Sequence, residues 1–200
     1  MKTAIAGAVL TALSLSLPAI AATTNKFHVK GQNVSANFYQ YDDCNSTNVY
    51  VSAYNNITKD SPGAPTEQLG AYLDYYNYNY CTGTYSYVSG SSSSANFTID
   101  NRLDSATLNG TFTLYDYSSR TPKTADVALT WKGVGDTSSG KSNYTYQTPT
   151  STIRSRSNGE SRDAEVSGSI TLDGTNLITN TSNYGYLSSS KSGYLERTAK

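Results

Sequence analysis

Apolar and polar residues alternate regularly in several short segments of the chain. In residues 34–39 every second residue is Val, Ala or Phe, and in residues 48–53 every second residue is Val or Ala. A period of two is that of a half-buried β-strand, whose successive side chains point to opposite faces. The residues between the two segments include "DDCNS", which is typical of a turn. The pattern therefore predicts a β-hairpin.

Four stretches of the chain resemble one another at nearly even spacing. They are "FYQYDDCNSTNVYVSA" from residue 38, "YYNYNYCTGTYSYVSG" from 75, "LYDYSSRTPKTADVAL" from 114 and "IRSRSNGESRDAEVSG" from 153, so the starts lie 37, 39 and 39 residues apart. Self-similarity at such a period indicates repeated supersecondary units. We therefore predict four hairpin repeats in which four valines are equivalent and buried: Val51, Val88, Val127 and Val166.

The register of these hairpins follows from pairing apolar residues, because directly opposed residues in an antiparallel pair share a face. Pairing Phe38 with Val51 sets Tyr39 opposite Tyr50. The same offset in the other repeats predicts five further pairs: Tyr76 with Tyr87, Tyr78 with Tyr85, Tyr115 with Asp126, Arg154 with Glu165, and Arg156 with Asp163. The last two pairs join opposite charges, which favours this register.

The remaining segments complete an all-β chain. Aliphatic residues recur on the face opposite the tyrosines in residues 106–114, 127–131 and 166–172, and this face is predicted to be the core. Three connections are predicted to be long and irregular, "NNITKDSPGAPTEQ", "SGSSSSANFTIDNR" and "GVGDTSSGKSN", whereas "LDGTNL" at 172–177 predicts a tight turn. The fold class is an antiparallel meander of about 8–10 strands built from four hairpin repeats, either a closed barrel or a two-sheet sandwich.

The N-terminal residues differ from the rest of the chain. The sequence "MKTAIAGAVLTALSLSLPAIAA" has Lys2, an apolar run and then small residues, which is typical of a secretory signal peptide. We predict a signal peptide over residues 1–21 and a single all-β domain over 22–200. The protein is then secreted, periplasmic or at the cell surface, and the short alanine-rich signal indicates a bacterium.

The chain has two cysteines, Cys44 and Cys81, at matching positions in the first two predicted turns. In an oxidising compartment an isolated pair of cysteines is most simply a disulfide. This bridge would link two neighbouring hairpin tips. The single histidine, His28, does not complete a metal-binding set with them, since a structural zinc site needs four ligands. We therefore predict no metal and no cofactor.

The distribution of charge and the lack of a recognisable catalytic set argue against two function classes, nucleic-acid-binding proteins and enzymes. The chain has 15 Lys and Arg against 15 Asp and Glu, and these are scattered along the sequence. A nucleic-acid-binding protein needs a basic stripe to neutralise phosphates, and the sequence shows none, so nucleic acid is not an expected partner. One histidine does not allow a confident Ser-His-Asp set, and Asp42 with Asp43 is typical of a turn. We predict that the protein is not an enzyme.

Tyrosine is the residue type with the clearest chemical content. The chain has 18 tyrosines, five of them in "YLDYYNYNYC" at residues 72–81. Rings exposed on a rigid sheet suit a binding surface, although tyrosine also fills exposed strand positions simply as a good β-former. The predicted ligand-binding residues are Tyr39, Tyr50, Asp74, Tyr76, Tyr78, Tyr85 and Tyr87. They predict a binding or adhesive module for a glycan or a protein partner, including another copy of the chain.

Two other function classes remain as alternatives. One is a small outer-membrane β-barrel, in which the aliphatic face would contact lipid; this face is sparse and interrupted by glycines, so membrane insertion is not expected. The other is an extracellular carbohydrate-active hydrolase, in which carboxylates such as Asp74 would act on a glycosidic bond.

Overall fold

The computed structural model describes residues 23–61, 63–179 and 181–198. The predicted signal peptide, residues 1–21, lies outside the described residues. Within the described ranges the chain forms ten β-strands and no α-helix, which confirms the all-β prediction. These ranges accordingly contain no helix with the length and hydrophobicity needed to cross a membrane.

The ten strands are numbered in chain order. They are β1 (Thr23–Tyr41), β2 (Asn45–Ser61), β3 (Thr66–Asn79), β4 (Thr84–Ser92), β5 (Asn96–Ile99), β6 (Ser105–Asp116), β7 (Thr121–Gln147), β8 (Ser151–Leu172), β9 (Thr175–Asn176) and β10 (Ser182–Thr198).

The strands pair mostly in chain order and close into a ring. Consecutive strands from β1 to β4 pair with one another, β4 pairs with β6, and the order continues through β7 and β8. β10 pairs with both β8 and β1, which completes the ring of hydrogen bonds. The short strands β5 and β9 are added to β6 and β8. All of these pairings are antiparallel, which confirms the predicted meander. The ring it closes into is not an even barrel.

The ring is uneven because the strands differ greatly in length. β4 has 9 residues, whereas β7 has 27 and β8 has 22. The surplus length continues beyond the ring as a region that we call the extension. It consists of residues 26–33 of β1, 55–60 of β2, 138–147 of β7, 151–161 of β8 and 188–197 of β10. In the extension the strand order is β7-β8-β10-β1-β2.

The aliphatic face lines the inside of the ring and forms one core. Its largest fully buried side chains are Trp131, Phe38 and Phe112. The four valines of the predicted repeats, Val51, Val88, Val127 and Val166, are all buried, as predicted. Residues 106–114 of β6 show the alternation most clearly, with buried and exposed side chains in turn. Removal of this apolar surface from water is the main force that stabilises the ring.

The register of the second hairpin is the predicted one, and that of the first is shifted by two residues. Tyr76 lies opposite Tyr87 and Tyr78 opposite Tyr85. In the first hairpin Phe38 pairs with Val49 instead of Val51, which places Tyr39 opposite Asn48 and Tyr50 opposite Asn37. Both turns have four unpaired residues, but the first, 42–45, lies one residue nearer the N-terminus than the alignment of the two repeats implies.

The side chain of Asp42 closes the first turn. Its Oδ1 atom accepts hydrogen bonds from the backbone N–H of Cys44 at 2.9 Å and of Asn45 at 2.7 Å. These hydrogen bonds hold the pKa of Asp42 below its usual value because they stabilise the charged form, and the one from Cys44 has the largest effect. An Asp side chain that bonds to the backbone two or three residues on is ordinary turn chemistry, as predicted for Asp42.

The third and fourth predicted registers are wrong. Tyr115 lies opposite Pro122 and not Asp126, because the four-residue turn at 117–120 lies two residues nearer the N-terminus than the alignment of the repeats implies. In the fourth repeat, Arg154 and Glu165 cannot face each other across a hairpin because both belong to the single strand β8. The same is true of Arg156 and Asp163. The turn-forming letters "SNGES" lie within β8, where pairing with β7 and β10 on both sides overrides local preference.

The predicted connections also differ from those observed. Most of "NNITKDSPGAPTEQ" is strand, and only residues 62–65 separate β2 from β3. The stretch "GVGDTSSGKSN" lies inside β7, where the pairing with β8 shifts between Val134 and Ser138 at a bulge. The tight turn in "LDGTNL" is confirmed: Asp173 and Gly174 have φ angles of 50° and 80°, as a two-residue hairpin turn requires.

The predicted disulfide is present. Cys44 and Cys81 are bonded, with a Cα–Cα distance of 5.3 Å. The bridge joins the β1–β2 turn to the β3–β4 turn, so it links the two neighbouring hairpin tips at one end of the ring.

The charges are not scattered in the folded chain as they are in the sequence. The extension brings eight of the 15 lysines and arginines to one face of the sheet, and His28 lies among them. The inference that the protein has no basic stripe is therefore wrong at the level of the sheet. It failed because antiparallel pairing places residues far apart in sequence side by side. The absence of a nucleic-acid partner stays a prediction.

Candidate functional site

The tyrosines near the disulfide lie on the outer face of the ring. In the quoted stretch 72–81, Tyr72, Tyr76 and Tyr78 alternate with residues that point inward, such as Leu73 and the half-buried Tyr75. The outer positions of the neighbouring strands add further rings. We call the resulting surface the tyrosine face: Tyr39, Tyr50, Tyr72, Asp74, Tyr76, Tyr78, Tyr85, Tyr87, Tyr115 and Tyr117.

The rings of the tyrosine face stack in pairs. Tyr76 stacks on Tyr85 with ring centroids 6.5 Å apart, and Tyr87 stacks on Tyr117 at 5.2 Å. Tyr115 meets Tyr117 edge to face at 5.1 Å, which joins the second pair to β6. The backbone register sets Tyr76 opposite Tyr87, but Tyr76 stacks on Tyr85, a diagonal neighbour. Diagonal residues of a strand pair lie within reach of long aromatic side chains.

A carboxylate lies among these rings and is bonded by two of them. The hydroxyl groups of Tyr72 and Tyr87 donate to Oδ1 of Asp74, at 2.8 Å and 3.1 Å. Ser89, directly opposite Asp74 on β4, is buried beneath this cluster with 8 % exposure. The hydrogen bond to Asp74, followed by burial, raises the pKa of Tyr72 to about 12, because both oppose loss of its proton.

The structure brings some of the sequence-predicted residues together and leaves others at the margin. Asp74, Tyr76, Tyr85 and Tyr87 form the centre of the face. Tyr50 lies opposite Asp74 across the β2–β3 pair, next to the centre. In the part of the chain that the structure describes, no ring stacking involves Tyr39 or Tyr50. Tyr78 meets Tyr80 edge to face, on the side of the disulfide.

Three residues of the face were not predicted from the sequence. Tyr72 stands two residues before Asp74, so the period of two already placed both on one side. Tyr115 and Tyr117 belong to "LYDY", which matches the Tyr-x-Tyr pattern of the first two repeats. The repeat could therefore have indicated these two tyrosines. Their contact with Tyr87, however, depends on the pairing of β4 with β6, which skips β5 and was not predicted from the sequence.

The raised pKa of Tyr72 predicts a distinct alkaline titration. Ionised tyrosine absorbs at about 295 nm, and an ordinary tyrosine titrates near pH 10. The wild-type curve minus that of Tyr72→Phe should show one tyrosine titrating near pH 12. Because the folded pKa exceeds the unfolded one, the stabilisation is complete below about pH 10 and is lost as the pH rises through the folded value. Circular dichroism at each pH checks that the protein is still folded, and a difference centred near pH 10 would contradict the hydrogen bond.

The described ranges contain no group of three or more His, Cys, Asp or Glu side chains that could hold a metal ion. His28 lies exposed on β1. Asp104, at the base of the extension, forms an ion pair with Arg162.

Comparison with known proteins gives little guidance. No protein-family model matches the chain, and no curated protein matches it. One crystal structure is similar, that of a protein from Nitrosomonas europaea provisionally assigned as AttH. The two chains share 9% sequence identity, with a TM-score of 0.40 over 86% of this chain and 52% of that chain. The chain thus spans about half the length of that protein.

Proposed function

We propose that the protein is a secreted binding module that holds a neutral glycan on its tyrosine face. The observation that carries this proposal is the carboxylate of Asp74, fixed by two tyrosyl hydroxyls among stacked and exposed rings. The disulfide supports an oxidising, extracytoplasmic location. The signal peptide predicted for residues 1–21 is consistent with that location.

The rings supply apolar area at positions where a ligand can reach them. Tyr76, Tyr85 and Tyr117 are 41%, 60% and 53% exposed. An apolar patch built from several such rings is larger than most monomers leave uncovered, and patches of that kind mark interaction sites. A sugar ring also has an apolar face of C–H groups, so it can stack on tyrosine while its hydroxyls stay free to form hydrogen bonds.

The polar groups suit those sugar hydroxyls. Tyr72 and Tyr87 both donate to Oδ1 of Asp74, and within the described residues no other hydrogen bond reaches this carboxylate. Its Oδ2 atom is therefore an acceptor for a ligand hydroxyl, and hydrogen bonds to an ionised acceptor are stronger than neutral ones. The positions of the tyrosine face carry no lysine or arginine, which favours a neutral sugar over an acidic one.

The double substitution Tyr76→Ser with Tyr85→Ser tests this proposal. It removes one stacked pair and should weaken binding to a responding neutral glycan by about tenfold, as expected for the loss of two aromatic contacts. The midpoint of unfolding should change little, since substitutions at exposed positions usually alter stability by under about 1 kcal/mol. Binding is measured by calorimetry on a panel of neutral polysaccharides.

The matched control is Tyr144→Ser with Tyr146→Ser. These two rings are 56% and 50% exposed, and they lie in the extension, away from the tyrosine face. Equal loss of binding in both double variants would contradict a specific site. Concentration-dependent self-association without glycan binding would replace the glycan with a second copy of the chain. Release of reducing ends that Asp74→Asn abolishes would instead support the hydrolase alternative.

A further inference from the structure

The extension carries a concentrated positive charge on one of its two faces. We call this surface the basic face: Lys26, His28, Lys30, Lys59, Lys141, Arg154, Arg156, Lys191 and Arg197. All of these side chains are exposed except that of Lys30, which is half-buried. They come from the five strands of the extension.

The register shows that these residues share one side of the sheet. Val34 and Leu187 lie opposite each other and are buried inside the ring. Lys30 and Lys191 lie opposite each other four residues further along the same two strands. Because side chains alternate with a period of two, an even number of steps returns to the same face. The basic face is therefore the continuation of the core-lining face.

The cations on this face lie beside one another without compensating charges. Lys30 is directly opposite Lys191. Like charges directly opposite each other across a strand pair are destabilising. Within residues 23–61, 63–179 and 181–198, ion pairs form only between Lys123 and Asp173 and between Arg162 and Asp104, and none involves the basic face.

Two carboxylates share this side of the sheet but do not neutralise it. Glu160 lies nearer the ring, opposite Ser139 and Ser189. Glu67 lies on β3, at the edge, and its Oε1 atom accepts a hydrogen bond from Asn55 at 2.7 Å. The fold thus keeps a repulsive group of cations in place, which is the expected arrangement when an external anion supplies the opposite charge.

Clefts open between the cations. One of about 360 Å³ is lined by His28, Lys141, Arg156 and Lys191, among others. A second of about 360 Å³ lies between Lys26, Arg154 and Arg156, and a third of about 260 Å³ between Lys30, Lys59 and Lys191. His28 lines all three, so the clefts adjoin and form a continuous path across the strands.

We propose that the basic face binds a linear acidic polysaccharide. The cations repeat about every 5 Å across the strands and about every 7 Å along them, which suits a chain carrying regularly spaced carboxylates or sulfates. Asn143 and Asn158 lie among the cations and can bond to hydroxyl groups. The proposal is independent of the tyrosine face, because the two surfaces use different residues at different ends of the strands.

Two other kinds of polyanion fit this face less well. Single-stranded nucleic acid is usually held by aromatic side chains on which the bases stack. By alternation, the tyrosines of the extension point to the opposite face, and of them only Tyr194 borders one of the three clefts described above. An anionic bilayer presents a flat surface, whereas the cations of this face line clefts.

The test compares two triple variants of the full mature chain for binding to polygalacturonate. The first, Lys30→Gln with Arg156→Gln and Lys191→Gln, removes three charges from the basic face. The second, Arg102→Gln with Arg120→Gln and Lys132→Gln, removes three charges elsewhere, so that the net charge is the same. Calorimetry at several salt concentrations gives the dissociation constants and their salt dependence.

We expect the wild type and the second variant to bind polygalacturonate, with affinity that falls as salt increases. The first variant should bind at least about tenfold more weakly and with a shallower salt dependence, because fewer counterions are released. Its unfolding midpoint in low salt should be unchanged or higher, since the repulsion between Lys30 and Lys191 is relieved. A purely structural role for these cations would lower it instead.

Three results would overturn the proposal. The first is no binding of polygalacturonate by the wild type at low salt. The second is an equal loss in both triple variants, which would indicate an effect of net charge alone. The third is tighter binding of a poly(dT) oligonucleotide or of phosphatidylglycerol vesicles than of polygalacturonate. Binding of the responding neutral glycan by the first variant reports on the tyrosine face separately, so failure of one site is distinguishable from failure of the other.

Discussion

Replacing Trp131 with alanine should lower the free energy of unfolding by about 3–5 kcal/mol, the range for a fully buried aromatic side chain. Trp131 is the largest fully buried side chain of the core. It lies on β7, opposite Ala106 of β6 and Val166 of β8. Small residues on the neighbouring strands cannot move far enough to fill the space, so a cavity would remain.

Trp131 also connects two strands that are not neighbours in the ring. Its indole Nε1–H donates a hydrogen bond to the backbone carbonyl oxygen of Ser35 on β1, at 2.8 Å. Gly185, on the intervening strand β10, leaves room for the ring: a Cβ atom there would lie 3.0 Å from Cδ1 of Trp131. The substitution would therefore remove both packing and a polar contact across the interior of the ring.

Trp131→Phe separates these two effects. It keeps an aromatic ring but leaves the Ser35 carbonyl without its donor, for which we expect a smaller loss of about 1–3 kcal/mol. Urea unfolding should be followed by circular dichroism, because Trp131 is the only tryptophan and its fluorescence disappears in both variants. A loss below about 1 kcal/mol in Trp131→Ala would show that the core collapses around the site and that the predicted cavity does not form.

Removing the disulfide should have the second-largest effect. The double substitution Cys44→Ser with Cys81→Ser should lower the free energy of unfolding by about 3–4 kcal/mol, according to the chain-entropy relation. The bridge spans 37 residues, and so it excludes many extended conformations of the unfolded chain.

The folded structure around the bridge does not depend on it. β2 and β3 pair as far as Asn45 and Asn79, the positions adjacent to the turns that carry the bridge. The side chains of these two residues form a further hydrogen bond at 2.9 Å. The tips thus stay together without the disulfide, and most of the lost stability arises in the unfolded state.

Because most of the lost stability arises in the unfolded state, we expect the double cysteine variant to keep its ligand binding. At temperatures well below its lower unfolding midpoint, its glycan affinity through the tyrosine face should equal that of the wild type. Wild-type protein unfolded in the presence of dithiothreitol is the control for the substitution itself, and its unfolding free energy should match. An unchanged midpoint, or a loss of binding in the fully folded variant, would each contradict the unfolded-state explanation.

The sequence by itself determined which residues are inside and which are outside. The period of two in residues 34–39 and 48–53 separated core from surface, and every valine assigned to the core is buried. Alternation is a local property of the strand backbone, so it survives an error in pairing. The same logic assigned Tyr76 and Asp74 to the outer face before their partners were known.

Local sequence patterns also predicted two features near the turns, the register of the second hairpin and the disulfide. The register of the second hairpin was predicted because its four-residue turn, ending at Gly83, matched the assumed offset. The disulfide followed from the equivalent positions of two cysteines in adjacent turns. The first hairpin shows the limit, since hydrogen bonds to the side chain of Asp42 hold a turn that begins one residue earlier, and this shifts every pair by two residues.

Tertiary structure alone decided how far the strands run. "SNGES" and "GVGDTSSGKSN" have the composition of turns, yet both lie within long strands. Their backbone groups bond to strands from distant parts of the sequence, β10 in the case of β8. A single sequence gives the local preference of these residues for a turn but not the long-range hydrogen bonds that outweigh it.

The basic face depends on those same long strands. Lys30 and Lys191 are separated by most of the chain, and they become neighbours only because β10 returns to pair with β1 and close the ring. Along the sequence their charges are dispersed among serines and asparagines, so no window of residues looks basic. Alternation could place each cation on a face, but only the closure of the ring could place the cations on the same one.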